Sequence, residues 1–174
     1  MVDERLKLLA NKLVNYSCRL KKGENCLIEL IGADDVFGAE LIKAVYAAGG
    51  NPYLWVRDSR LERSLLMNTN EEQIRLRAEN DGALMAKMDA YIGVRGANNS
   101  FEMSDVPRKN LELYNTLYWE PVHGAIRVAK TKWVILRYPN FSMSQLAKMS
   151  TDSFEDFYFN VCNLDYGNMS RAMD

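Results

Sequence analysis

The sequence predicts an α/β fold: a mainly parallel sheet of about four strands flanked by helices, in a single domain. Three observations predict it. Short apolar runs closed by glycine or proline alternate along the chain with longer segments whose apolar residues recur every three or four positions. The first two runs lie about 30 residues apart, the length of a strand, a crossover helix and a second, parallel strand. A chain of 174 residues that is 48% apolar can build one core without disulfide or metal support.

The opening helix is carried by Leu6, Leu9, Leu13, Tyr16 and Leu20, with Lys21-Lys22 suiting its carboxyl end and Gly23 stopping it. Cys26–Ile31 is apolar and closed by Gly32, the pattern of a buried strand. Asp34 is placed to cap a second helix whose face is Phe37, Leu41, Ala44, Val45 and Ala48, ended by Gly49-Gly50. Tyr53–Val56 is the second strand. After a polar stretch, Asn70 and Gln73 have capping-box spacing for a helix through about Lys87, weakened by Asp81-Gly82. Asp89–Val94 is the third strand, followed by a loop over residues 96–100. A helix from about Pro107 to Ala129 contains Pro121 and Gly124, which predict a kink or split. Trp133–Leu136 is the fourth strand. Ser142 with Gln145, and Asp152 with Glu155, give two further capping-box spacings.

Lys plus Arg number 22 and Asp plus Glu 23, a net charge of −1. A nucleic-acid domain needs a basic surplus to displace counterions from phosphate, so the balance argues against a nucleic-acid partner. No apolar run approaches the ~18–20 residues a bilayer crossing requires, which argues against a membrane partner. The start, Met1-Val2-Asp3-Glu4, is acidic rather than a signal-peptide core. Three cysteines, Cys18, Cys26 and Cys162, show no C-x-x-C spacing and read as buried thiols of a cytoplasmic protein.

No catalytic constellation emerges from the residues. The loop Gly32–Gly38 stands where nucleotide-binding folds put glycine, but it lacks G-x-G-x-x-G and P-loop spacing. Asp34 and Asp35 would satisfy the helix N–H groups and repel phosphate. Gly93-Val94-Arg95-Gly96 matches only a short GxxG pattern, better explained as a strand turning on glycine. His123 is the only histidine; between Pro121 and Gly124 it suits a helix break, where it would cap a carbonyl. One histidine and three scattered cysteines make a poor zinc inventory. The carboxylate pairs Asp34-Asp35, Glu71-Glu72 and Glu155-Asp156 sit near helix starts, where the dipole accounts for them.

Several stretches, in order, resemble the aminopeptidase S/T family of metallo-aminopeptidases. They are Leu9–Ser17 with Lys21-Lys22-Gly23-Glu24 and the strand Leu27-Ile28-Glu29; Ala47–Pro52; and Met88–Val94. The most specific is the last: Tyr138-Pro139, Gln145–Ser150 and Phe154–Phe159, similar to a Tyr-Pro-Thr…Met-Ser…Phe-Glu-Asp-Phe run, with Asn140 in place of threonine. The resemblance implies a parent protein of about twice this length that removes amino-terminal residues from peptides. Two divalent metal ions of zinc or cobalt type would be held in its carboxyl-terminal half, leaving no metal and no catalytic residue in this chain. Residues 1–174 are then expected to be the amino-terminal domain, inactive alone, shaping the substrate cavity and a homodimer. The missing half would be its intramolecular partner and a peptide its substrate. Asn98, Asn99 and Ser100, at a strand's carboxyl end, are the expected substrate-facing residues. The alternative is a self-standing Rossmann-like small-ligand-binding or interaction module.

Phe154, Phe157, Tyr158 and Val161 fall on one face of the last helix, and Phe159, Cys162 and Leu164 widen the arc. So broad an apolar arc predicts a second cover, with Phe159 in the association surface.

Overall fold

The structure, a computed structural model, describes residues 3–164, so the reading of Met1-Val2 lies outside the described residues. Strands β1 (Asn25–Ile31), β2 (Asn51–Arg57), β3 (Ala90–Arg95) and β4 (Lys132–Arg137) form one sheet in the order β2-β1-β3-β4, every pair parallel. The register is level: Ile31 stands opposite Arg57 on one side and Arg95 on the other, and Arg95 stands opposite Arg137. All four carboxyl ends therefore open onto one edge.

Strand alternation divides the core in two. Cys26, Ile28, Leu30, Ala90, Ile92 and Val94 face a cluster completed by helices α1 (Glu4–Lys12), α2 (Asp35–Ala47) and α7 (Thr151–Cys162). Leu27 and Tyr91 face the second cluster, with Ile74 and Met85 of α4 (Glu71–Met85) and Tyr118 and Val122 of a long helical segment. That segment begins as α5 (Arg108–Tyr114) and continues as a π-helical stretch, Asn115–Val128. α3 (Ser59–Met67) and α6 (Phe141–Leu146) complete the fold.

Local chemistry explains most boundaries. Asp34 accepts a hydrogen bond from the Val36 N–H and starts α2; Asn70 accepts one from the Gln73 N–H and starts α4. Gly82 does not interrupt α4, which runs unbroken from Glu71 to Met85 with Gly82 against Val122 and Ile126. Cys18 and Cys26 are buried and Cys162 partly so, all as free thiols.

Several expectations are corrected. The first helix does not run to Gly23: it widens into a π turn over Leu13–Ser17, and Arg19 takes up the left-handed conformation. Tyr16 is consequently exposed. The polar stretch after β2 contains α3, capped by Asp58, which accepts from the N–H groups of Arg60 and Leu61. Its charged residues hide a short amphipathic helix. The caps near the carboxyl end lie two residues upstream of those expected: Asn140 accepts from the Met143 N–H, and Ser150 from the Ser153 N–H. Pro121 does not split its helix into two elements: it lies inside the continuous π-helical stretch Asn115–Val128. Phe159 is 4% exposed and packs in the core under the Arg5 guanidinium; Phe157, Val161 and Leu164 form the exposed part of that arc.

Candidate functional site: a caged carboxylate beneath a cavity

Glu29 is the one charged side chain in the interior of β1, and the sheet buries it to 2% exposure. An ionised carboxylate there needs partners. It has three. The Arg95 Nη2 lies 2.8 Å from one carboxylate oxygen, the Tyr91 hydroxyl donates to the same oxygen, and Arg57 Nε lies 2.8 Å from the other. The Arg57 contact is an ion pair without the angle of a directed hydrogen bond. Burial alone would raise the Glu29 pKa, but Arg95, Tyr91 and Arg57 together hold it below the usual carboxylate range. Level register makes this cage: Tyr91, Arg95 and Arg57 stand two residues from Glu29's own row on flanking strands, all on one face of the sheet.

A second ring of charge surrounds the first. Arg57 also donates to Asp81 (2.8 Å) and to the Tyr118 hydroxyl (2.9 Å), which itself donates to Asp81 (2.6 Å). Arg77 holds Glu62 through two bonds of 2.8 Å. Aromatic rings separate the cations: Arg57 lies over Trp55, Arg77 over Tyr118, and Arg127 between Tyr91 and Trp133.

The π-helical stretch forms the wall above. Asn115, Trp119, His123 and Arg127 follow at steps of four and all line one cavity of about 400 Å³, with Glu29, Arg57 and Arg95 at its floor. In an α-helix of about 3.6 residues per turn, steps of four drift steadily around the axis. The wider π turn keeps them in line, and such turns are frequent at functional sites.

His123 is buried within the helix rather than capping a break, correcting the expectation for it. Its Nδ1 accepts from Arg127 Nε at 3.1 Å. Burial lowers its pKa to about 4; Glu29 works in the opposite direction, and Arg127, Arg95 and Arg57 add to the lowering.

The expected substrate-facing residues lie next door. Asn98 lines a crevice beside Asp34, Tyr138 and Asn140, whereas Asn99 and Ser100 line a hollow that shares Arg95 and Ile135 with the main cavity. Asn99 is committed locally, accepting from the Phe101 N–H and donating to Glu102. The crevice sits where the chain reverses direction between β1 and β3, the place where such folds take ligands. Here Asp3, Asp34 and Glu155 line it, which disfavours phosphate. The two loops also touch: a side chain on Gly96 would lie 2.7 Å from the Gly32 carbonyl oxygen.

Among the described residues, no three His, Cys, Asp or Glu side chains converge to hold a metal ion, and Glu29, Glu62 and Asp81 are each held by guanidinium groups. Sequence reasoning missed the cage. Its one signal was a glutamate inside the otherwise apolar run Cys26–Ile31, with arginine closing both neighbouring strands.

The four-strand parallel sheet flanked by helices, with a charged, aromatic-lined cavity at its carboxyl edge, defines an α/β domain. The sequence matches the family described as thermophilic metalloprotease (M29) over residues 2–172, and the chain belongs to that family. Among solved structures, wild-type AmpT from Thermus thermophilus matches at 19% identity with a TM-score of 0.62, over 79% of this chain and 36% of that one. The likeness shows a shared fold, and this chain spans about a third of the AmpT chain. CurK enoyl reductase matches at 13% identity and a TM-score of 0.34, over 92% of this chain and 50% of that one, too low to carry an argument. Among curated proteins, none matches the sequence. No described helix is long and apolar enough to cross a membrane.

Proposed function

We propose that this chain is the amino-terminal domain of a metal-dependent aminopeptidase that removes amino-terminal residues from peptides in the cytoplasm. The observation that carries this reading is the family match across nearly the whole chain. Two divalent metal ions of zinc or cobalt type belong to another part of the longer protein, a reading supported by the described side chains, whose carboxylates are already held by guanidinium groups. The domain contributes a wall of the substrate cavity through the carboxyl edge of its sheet, with Asn98, Asn99 and Ser100 toward the peptide. Exposed Phe157, Val161 and Leu164 suit a contact with the metal-bearing part or with a second copy in a homodimer.

The test compares this chain with the longer protein that contains it, both stripped by chelation and reloaded with Zn²⁺ or Co²⁺. Release of the amino-terminal residue from a leucyl anilide is followed. The longer protein is expected to be active and this chain silent. Metal-dependent hydrolysis by this chain alone would overturn the division of labour, and an inactive metal-loaded longer protein would overturn the peptidase reading.

A further inference from the structure

We infer that the cavity is a binding site for a small monocarboxylate with an apolar body, held by Arg127, Arg95 and His123. The carboxylate belongs either to a free acid or to the terminus of a short peptide. The site consists of this chain's own residues and does not depend on the peptidase reading.

Charge is the first reason. Four guanidinium groups, Arg57, Arg77, Arg95 and Arg127, surround three carboxylates, Glu29, Glu62 and Asp81. Arg57 is paired with Glu29 and Asp81, Arg77 with Glu62, and Arg95 with Glu29. Arg127 meets no carboxylate among the described residues, which leaves 4 − 3 = 1 positive charge uncompensated. Arg127 is only 5% exposed, and a guanidinium does not shed its proton to escape burial. A buried charge without a counter-ion is costly.

Donor geometry is the second. Tyr91 and Trp133 cover the faces of the Arg127 guanidinium at 5.1 and 4.9 Å, but rings accept little from its edge. His123 Nδ1 takes the Nε–H, and among the described residues the buried Nη1 of Arg127 has no acceptor, nor has the Nη1 of Arg95. Because Nδ1 accepts, the proton of neutral His123 sits on Nε2, a third donor without a partner among the described residues. Arg127, Arg95 and His123 all line the cavity.

These donors select the ligand. A guanidinium fork matches a carboxylate, and one surplus positive charge matches a monoanion. A dianion such as phosphate would meet Glu29 and Glu62, which line the same space. Leu66, Met103, Leu111, Trp119 and Ile135 form an apolar part of the wall, beside Ser59 and Asn115, and suit a hydrocarbon body. The volume, about 400 Å³, is that of a small-molecule site.

The experiment titrates the full chain by calorimetry with 3-phenylpropionate and with N-acetyl-leucine, each against its neutral primary amide of the same shape. An acid is expected to saturate one site about tenfold or more tightly than its amide, and Arg127→Met to lose about tenfold or more. His123→Phe, which keeps a flat ring but removes the Nε2 donor while leaving the guanidinium, is expected to weaken the acid severalfold and to leave the amide unchanged. It decides the matter should Arg127→Met fail to fold. Tighter binding of N-acetyl-leucine assigns a peptide terminus, and tighter binding of 3-phenylpropionate a free acid. Equal binding of acid and amide would overturn the inference, as would no saturation by either acid below about 10 mM. Tighter binding of inorganic phosphate than of either acid would overturn the choice of a monocarboxylate.

Discussion

His123 accepts a hydrogen bond on Nδ1 from the Nε–H of Arg127, 3.1 Å away and four residues further along the same π-helical stretch. The bond fixes the histidine tautomer and requires the imidazole to stay neutral, because a protonated ring would have no lone pair to offer. Local acid–base behaviour follows from this one contact and from the cations around it.

Stability is therefore expected to fall in mild acid. An unfolded imidazole titrates near 6.5, whereas folded His123 is lowered to about 4. Between those values the unfolded chain binds the extra proton, so this contribution is complete above about pH 7 and declines as pH falls toward 4. The loss is on the order of 3 kcal/mol. Urea unfolding from pH 7 down to about pH 4 measures it, and His123→Gln should flatten this part of the profile. A profile unchanged by that substitution would count against the assignment.

Glu29→Gln should destabilise by about 3–5 kcal/mol, because it leaves the buried Arg95 guanidinium without its carboxylate. Arg57 retains Asp81 and suffers less. Adding Arg95→Met to Glu29→Gln should recover part of the loss, since the orphaned charge is then gone. Chemical denaturation of the single and double variants gives the coupling directly; additive losses would show that the ion pair is not the reason.

Phe159→Ser should lower stability by roughly 3–5 kcal/mol, the cost of emptying a core aromatic position. Phe157→Ser, on the exposed side of α7, should leave the melting temperature within a few degrees. If the exposed arc carries association, only Phe157→Ser reduces the sedimentation-measured mass without unfolding the chain. Two variants with equal melting temperatures would contradict the burial difference.

The sheet was legible in the sequence because its strands are short apolar runs bounded by glycine and proline, a pattern that survives any detail of packing. The α2 and α4 caps were legible for the same reason: Asp34 and Asn70 act on N–H groups two or three residues away. The site was not. Glu29, Arg57, Arg95 and Asp81 are scattered over more than 50 positions; the first three meet only through strand register, and Asp81 only where α4 packs on that face. The alignment of Trp119, His123 and Arg127 depends on a π turn, and helical periodicity assumes an α turn. Tyr16 and Leu20 were misplaced on the first helix for that same reason, the π turn at Leu13–Ser17.

Among the described residues, the order β2-β1-β3-β4 leaves β2 with a neighbour on one side only. Its outer backbone is an open row of hydrogen-bonding groups, a template on which an extended segment from another molecule can add. The Asn51 N–H turns inward to the Glu24 carbonyl at 2.8 Å, so by alternation the nitrogen of Pro52 points outward. Proline has no hydrogen there to give. The first rung that an invading strand would need on this margin is missing, which weakens edge-to-edge pairing beside the exposed side chains of Leu54 and Val56.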